Sequence, residues 1–238
     1  MKIEKKRLTT ILTLLMLVAA VTNSFSQKAE VAKKLKEYGI SFDDMVTNFG
    51  AESSSYSCNA KFTEVTSDKT TESLASFNPK KPIGSQWTLE SVNGNTPTKK
   101  EKRNFDKAHN VKPDNESIEP DANSLKIIKD NDHLIVIGLR YSESALPHKY
   151  KFLAHCKAEM YIDKEAKRLY KLRFYNESDL KIKIFTVAKL DMTVEFMPGH
   201  ENETYLIKDE TIIMDAKLLG QLVEIKEYSE FYDYKKVN

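Results

Sequence analysis

Glycine and proline are scarce in this 238-residue chain, seven of each. That excludes long flexible or stiff linkers of the kind those residues build. Cysteine is nearly absent, with only Cys58 and Cys156, which excludes a disulfide-dense scaffold and any four-cysteine zinc site. An excess of one charge is missing too. There are 37 Lys and Arg against 35 Asp and Glu, which leaves no electrostatic footprint for nucleic acid. No glycine-rich phosphate loop and no GxSxG element occurs. None of the five histidines stands at metal-ligand spacing from another. His155 and Cys156 are adjacent, so on a strand they face opposite ways and cannot act as base and nucleophile. Asp130-Asn131-Asp132 lacks the glycine and distal glutamate of a calcium loop and reads as a hairpin turn. The expectation is a protein that is not an enzyme and carries no metal or cofactor.

One long apolar run is present, and it is at the start. Lys2, Lys5, Lys6 and Arg7 precede the uncharged stretch Ile11–Val21, and Ser24-Phe25-Ser26 supplies small residues where a signal peptidase reads. This is the pattern of a secretory signal peptide over residues 1–26, too short to span a membrane as a helix of about 20 apolar residues. No cysteine follows it to carry a lipid anchor. The remainder, residues 27–238, has 33 basic and 34 acidic residues. It is expected to be one exported domain, periplasmic or secreted, and monomeric, with no further transmembrane segment.

What fills that domain is alternation. Phe152, Ala154, Cys156, Ala158, Met160 and Ile162 fall on one face of a strand expected over Tyr150–Ile162. Tyr56, Cys58, Ala60 and Phe62 do the same over Ser53–Thr66. Leu180 to Phe196 alternates as one long strand or two with a bend near Thr186. Leu134-Ile135-Val136-Ile137 is continuous and predicts a strand covered on both faces. Helices are expected over Gln27–Gly39, from a Ser41 cap to Phe49, and over Lys99–His109 behind a Thr98/Glu101 capping box. The fold class is therefore mainly β with α: a strongly curved antiparallel sheet, an incomplete barrel of nine to eleven strands, with two to three helices packed on it.

The dry face is lined by small side chains, Cys58, Ala60, Ala154, Cys156 and Ala158, and interiors do not tolerate empty space of that size. Either the helices fill it or an apolar guest does. In the second case the candidate ligand-binding residues are Phe62, Trp87, Ala154, Ala158, Met160, Met192 and Phe196, around an apolar pocket on the order of several hundred Å³. Cys58 and Cys156 are either a disulfide or two buried thiols. Tyr228, Phe231, Tyr232 and Tyr234 crowd the last strand, where they pack across neighbours or offer a partner an aromatic patch.

The run Phe77-Asn78-Pro79, Pro82, Gly84, Trp87-Thr88-Leu89-Glu90-Ser91-Val92-Asn93-Gly94, Pro97-Thr98 and Phe105 resembles a group of uncharacterised exported bacterial proteins. These are similar in layout to the LolA/LolB lipoprotein-carrier fold, an incomplete barrel plugged by helices. The resemblance implies an apolar ligand, a lipid or lipoprotein acyl chain, held on the concave face. The alternative is an envelope interaction or structural module with a fully packed core that binds a protein partner.

Overall fold

A computed structural model of the chain describes residues 27–42, 55–67, 69–111, 120–182, 185–199, 205–218 and 221–237. The expected leader lies outside these residues, as does the second expected helix beyond Phe42.

Among the described residues eleven strands form one sheet: β1 (Tyr56–Thr66), β2 (Lys69–Phe77), β3 (Trp87–Val92), β4 (Lys126–Asp130), β5 (Leu134–Leu139), β6 (Cys156–Asp163), β7 (Arg168–Asn176), β8 (Leu180–Ile182), β9 (Phe185–Pro198), β10 (Tyr205–Leu218) and β11 (Gln221–Lys236). The order across it is β3-β2-β1-β11-β10-β9-β7-β6-β5-β4, with β8 also on β9. All pairings are antiparallel. The two end strands do not pair, so the barrel is incomplete, as the alternation predicts. β1 to β3 form one wing and β4 to β11 the other. Their join is the pairing of β1 with β11, from Tyr56 opposite Lys236 to Thr66 opposite Ile225.

Two α-helices of the described residues lie on this sheet, α1 (Gln27–Glu37) and α2 (Lys99–His109). Val31 and Leu35 of α1 are buried, and Gly39 at φ +70° ends the helix, where a left-handed residue is needed. α2 carries the expected capping box: the Glu101 backbone N–H donates to Thr98 Oγ1, and the Thr98 backbone N–H donates to Glu101 Oε2 at 2.8 Å. Only Phe105 and Ala108 of α2 are buried. The Asn110 side chain then pairs with the open edge of β3. It accepts from the Trp87 backbone N–H at 2.9 Å and donates to the Trp87 carbonyl at 3.0 Å.

β5 is buried from Ile135 to Leu139, on both faces, as its unbroken apolar run requires. The turn before it is closed by Asn131, whose side-chain oxygen accepts from Leu134 N–H at 2.8 Å. The Lys164 ammonium binds Asp130 there and lies 3.9 Å from the Tyr38 ring centroid, tying the end of α1 to this hairpin. On the outer face Arg173 makes a bidentate bond to Asp191 at 2.9 and 2.7 Å, the strong form of that pair.

One expectation needs correction, and two open alternatives are decided. The strand over Tyr150–Ile162 begins only at Cys156, because His148–His155 is a 3-10 helix entered from Pro147. Its buried residues Tyr150 and Leu153 are spaced three apart, the 3-10 period, so Leu153 is buried and not on the wetter face. The stretch Leu180–Phe196 divides into β8 and β9, which pair with each other. Alternation breaks at Ala188, an exposed bulge residue between buried Val187 and Leu190. The disulfide alternative fails: Cys58 and Cys156 are both free and buried. β11, β10, β9 and β7 separate their strands, about 24 Å along the sheet, whereas a disulfide needs Cα atoms within about 7 Å.

Burial pushes both thiols up to about 12, so neither is a thiolate at neutral pH. Folded protein should react slowly or not at all with a thiol reagent. Urea should release two equivalents without reductant, and recovery of fewer than two would restore the disulfide.

Candidate functional site

The inner face is one surface, but its packing divides in two. The larger cluster joins Val31 and Leu35 of α1 to buried side chains of β5 through β10, among them Ile137, Ala158, Phe174 and Met192. The smaller cluster is Ala75, Leu89 and Phe105, with Phe62, Trp87 and Val92 packed against it beneath α2. Aromatic rings dominate the smaller half. Phe62 lies edge-on to Trp87 at 5.8 Å, to Phe105 at 6.0 Å and to Phe231 at 6.1 Å.

Between the clusters the inner face turns polar, and the register shows how. Glu210 of β10 stands opposite Ser229 of β11, Ser229 opposite Phe62 of β1, and Phe62 opposite Ser73 of β2. One step along, Ile212 stands opposite Glu227, Glu227 opposite Glu64, and Glu64 opposite Thr71. Side chains two apart share a face, so these two rows lie side by side on the inner surface. They floor a cleft lined by Phe62, Glu64, Thr71, Ser73, Glu227 and Ser229, with His109 from the last turn of α2. The His109 ring stacks on Phe105 at 4.1 Å and lies 4.7 Å from Phe62. Counted out to open solvent the cleft is about 360 Å³, but the space that holds whole water molecules is about 30 Å³, enough for about two.

The predicted ligand-binding residues fall into two groups, one in each cluster. Phe62 lines the cleft and Trp87 packs against it. Ala158, Met160 and Met192 are buried at 1, 6 and 0% exposure within the larger cluster, and Ala154 and Phe196 pack against that cluster. The cleft is therefore not the apolar space expected beside Cys58, Ala60, Ala154 and Ala158. α1 and the 3-10 segment help fill the larger half. Glu64, Glu210, Glu227, Ser73, Ser229 and His109 are absent from the residues that the alternation points to. Five of them are polar residues at inward strand positions, and His109 ends a helix.

Glu210 is 8% exposed. Burial, and then the neighbouring Glu227 charge, push its carboxyl up to about 8. Among the described residues, no three His, Cys, Asp or Glu side chains group as metal ligands. No helix among them is long and apolar enough to cross a membrane.

No family model and no curated protein matches the chain. Among solved structures, it is similar to a LolA superfamily protein from Nitrosomonas europaea, with 14% identity and TM-score 0.35 over 87% of this chain and 93% of that one. It is also similar to the MucA/MucB complex of Pseudomonas aeruginosa, with 10% identity and TM-score 0.20 over 90% of this chain and 100% of the other. Likeness at this level assigns no residue and no ligand.

A carboxyl raised on folding favours the folded state fully only below its unfolded value, and that contribution is lost as pH rises through the folded value. Stability should therefore fall as pH rises from about 4.5 towards 8. The loss should be a few kcal/mol at most, because each pH step of one between those values is worth about 1.4 kcal/mol. Glu210→Gln should flatten that slope in urea denaturation followed between about pH 5 and 8.5. A slope unchanged by the substitution would remove Glu210 as its source.

Proposed function

We propose that the protein is an exported, non-enzymatic binding protein, periplasmic or secreted, that holds an apolar ligand on the concave face of its sheet. The ligand is a lipid or the acyl chain of a lipoprotein. The observation that carries this reading is the unequal grip of the two helices. α1 is sunk into the larger cluster, with Val31 at 2% and Leu35 at 0% exposure. α2 buries only Phe105 and Ala108, with its C-cap Asn110 bonded to the edge of β3, and beneath it lie Phe62, Trp87, Leu89 and Ala75. Burying one phenylalanine and one alanine contributes about 2–4 kcal/mol, a loss that an acyl chain laid on the same aromatic panel offsets. α2 is then the lid, and the smaller half of the concave face the seat.

The second reading, an envelope interaction module with a packed core, is favoured by one observation: the narrow space in the cleft is only about 30 Å³. In that case the partner would meet the exposed Tyr228 and Tyr232, at 37 and 41% exposure.

Trp87 is the only tryptophan and lies under the lid, so its emission reports on the seat. Titration with lauric acid below its micellar concentration should shift that emission saturably. Extraction of the purified protein should yield acyl species by mass spectrometry. Phe105→Ala should bind about tenfold more tightly, because less lid contact is given up. No extracted lipid together with an unresponsive Trp87 would overturn the carrier reading in favour of the packed module.

A further inference from the structure

We infer that the outer face of α2, with two apolar side chains beside its C-terminal end, docks on the surface of an anionic phospholipid bilayer. Where the apolar-ligand reading holds, this sets the lid against the source of the ligand, and to that extent the inference rests on it. The docking itself needs no bound ligand. The first observation is where the charge lies. Residues 99–107 hold five basic and two acidic side chains, a formal +3. The other residues from 27 onward hold 28 basic and 32 acidic, a formal −4. The chain is near neutral because these two parts cancel, and the positive part is one helix about 16 Å long. Lys99, Arg103 and Lys107 stand four apart, one above the other, with Lys100 beside them, and all are exposed. The buried residues Phe105 and Ala108 point the opposite way, so the basic side chains face out from the sheet.

The second observation is that this charge is uncompensated. Among the described residues every ion pair uses other side chains. The two acids of the helix are engaged at its ends. Glu101 Oε2 accepts from the Thr98 backbone N–H and hydroxyl at 2.8 and 2.7 Å. Asp106 Oδ1 accepts from the Asn110 side-chain amide at 2.9 Å. Lys99 and Arg103, and then Arg103 and Lys107, are like charges at i,i+4, which repel. Lys99 and Lys100 also occupy the first turn, where the helix dipole disfavours cations. Both arrangements weaken the helix, and an anionic surface relieves both.

The third observation selects a bilayer over an acidic protein. Ile83 and Val111 are 62 and 43% exposed. Gly84 packs on the Asn110 carbonyl, which would lie 3.5 Å from a β-carbon there, so Ile83 and Val111 flank one point at the end of α2. The β2–β3 loop is braced: Asn78 N–H donates to the Gln86 carbonyl and Ser85 N–H to the Pro82 carbonyl, each at 2.9 Å. Ile83 is thus held out on a fixed turn. Two separate aliphatic side chains beside a cationic face can enter a headgroup layer without a shaped partner. A protein interface centres on buried aromatic anchors, and the outer face of α2 offers none.

Co-sedimentation of the mature chain with sucrose-loaded vesicles tests this. Phosphatidylcholine vesicles containing about 30% phosphatidylglycerol should bind it at low ionic strength and release it as salt is raised. Vesicles of phosphatidylcholine alone should not bind it. Each basic side chain near an anionic leaflet strengthens binding about fivefold, so replacing three (Lys99→Gln, Arg103→Gln, Lys107→Gln) should weaken it on the order of 100-fold. Unchanged far-UV circular dichroism shows that the triple variant is folded. Ile83→Cys supplies an accessible thiol where Cys58 and Cys156 are buried. An environment-sensitive dye attached there should shift to the blue on the anionic vesicles.

Equal binding to the two vesicles, undiminished binding by the folded triple variant, or a dye that stays in water while the protein sediments would overturn the docking surface. Poly-L-glutamate bound as tightly as the anionic vesicles would overturn it too, and would give the face to an acidic protein. The laurate and extraction measurements decide the seat separately. Vesicle binding with no acyl ligand sinks the carrier reading and leaves this surface standing; a laurate response at Trp87 with no vesicle binding does the reverse.

Discussion

A single open sheet has one apolar face and nothing opposite to bury it against, and this constraint organises the molecule. Five strands laid flat and abreast, β5, β6, β7, β9 and β10, would extend about 20 Å, whereas one helix is about 10–12 Å across. Yet the inner residues of those strands are almost fully buried, Ile137 and Met192 at 0% and Ala158 at 1%. The sheet meets the demand by coiling around its filling. The small side chains at Cys156 and Ala158 are the places where it can approach closely. The same demand explains why α1 is fastened at its far end, through Tyr38 and Lys164, to the β4–β5 turn.

The other wing meets the demand differently, and the difference carries the functional reading. Its strands are poorer in aliphatic side chains, and its helix α2 is almost wholly polar. What it offers the sheet is one phenylalanine, one alanine and a histidine stacked on that phenylalanine. Rings fill the space that aliphatic side chains fill elsewhere. Where the two fillings stop short of each other, the polar rows from Glu210 to Ser73 and from Glu227 to Thr71 cross the inner surface.

Much of the fold is legible in the residues because its causes are local. Thr98 and Glu101 are three apart, and the capping box needs nothing else. The continuous run at Leu134–Ile137 contains its own evidence of burial on two faces. Phe105 and Ala108 are identifiable as the foothold of α2 because no other residue in it is apolar. The pattern misleads where it has two causes. Residues 150–155 alternate by twos and also bury by threes, and only the turn entered from Pro147 decides between them. Ala188 fits an even-numbered strand until a bulge shifts the phase. The cleft is invisible for a stronger reason. It exists because residue 64 is level with residue 227 and residue 62 with residue 229, and no property of either segment alone sets that register. Trp87 and Phe62 stand out as aromatic residues on inward positions. The serines and carboxylates beside them do not, since a polar residue in a strand ordinarily means solvent.

The pairing of β1 with β11 has a further consequence. It joins Tyr56 to Lys236, nearly the full length of the described chain, so the first wing has no neighbour to lean on until the very last segment is available. Nothing in β1, β2, β3 and α2 can bury its aromatic surface on that side beforehand. A chain delivered from its N-terminus, whether from a ribosome or through a translocation pore, must therefore hold its opening strands in waiting, and closure of the native state becomes a single late event with slow, topology-limited kinetics.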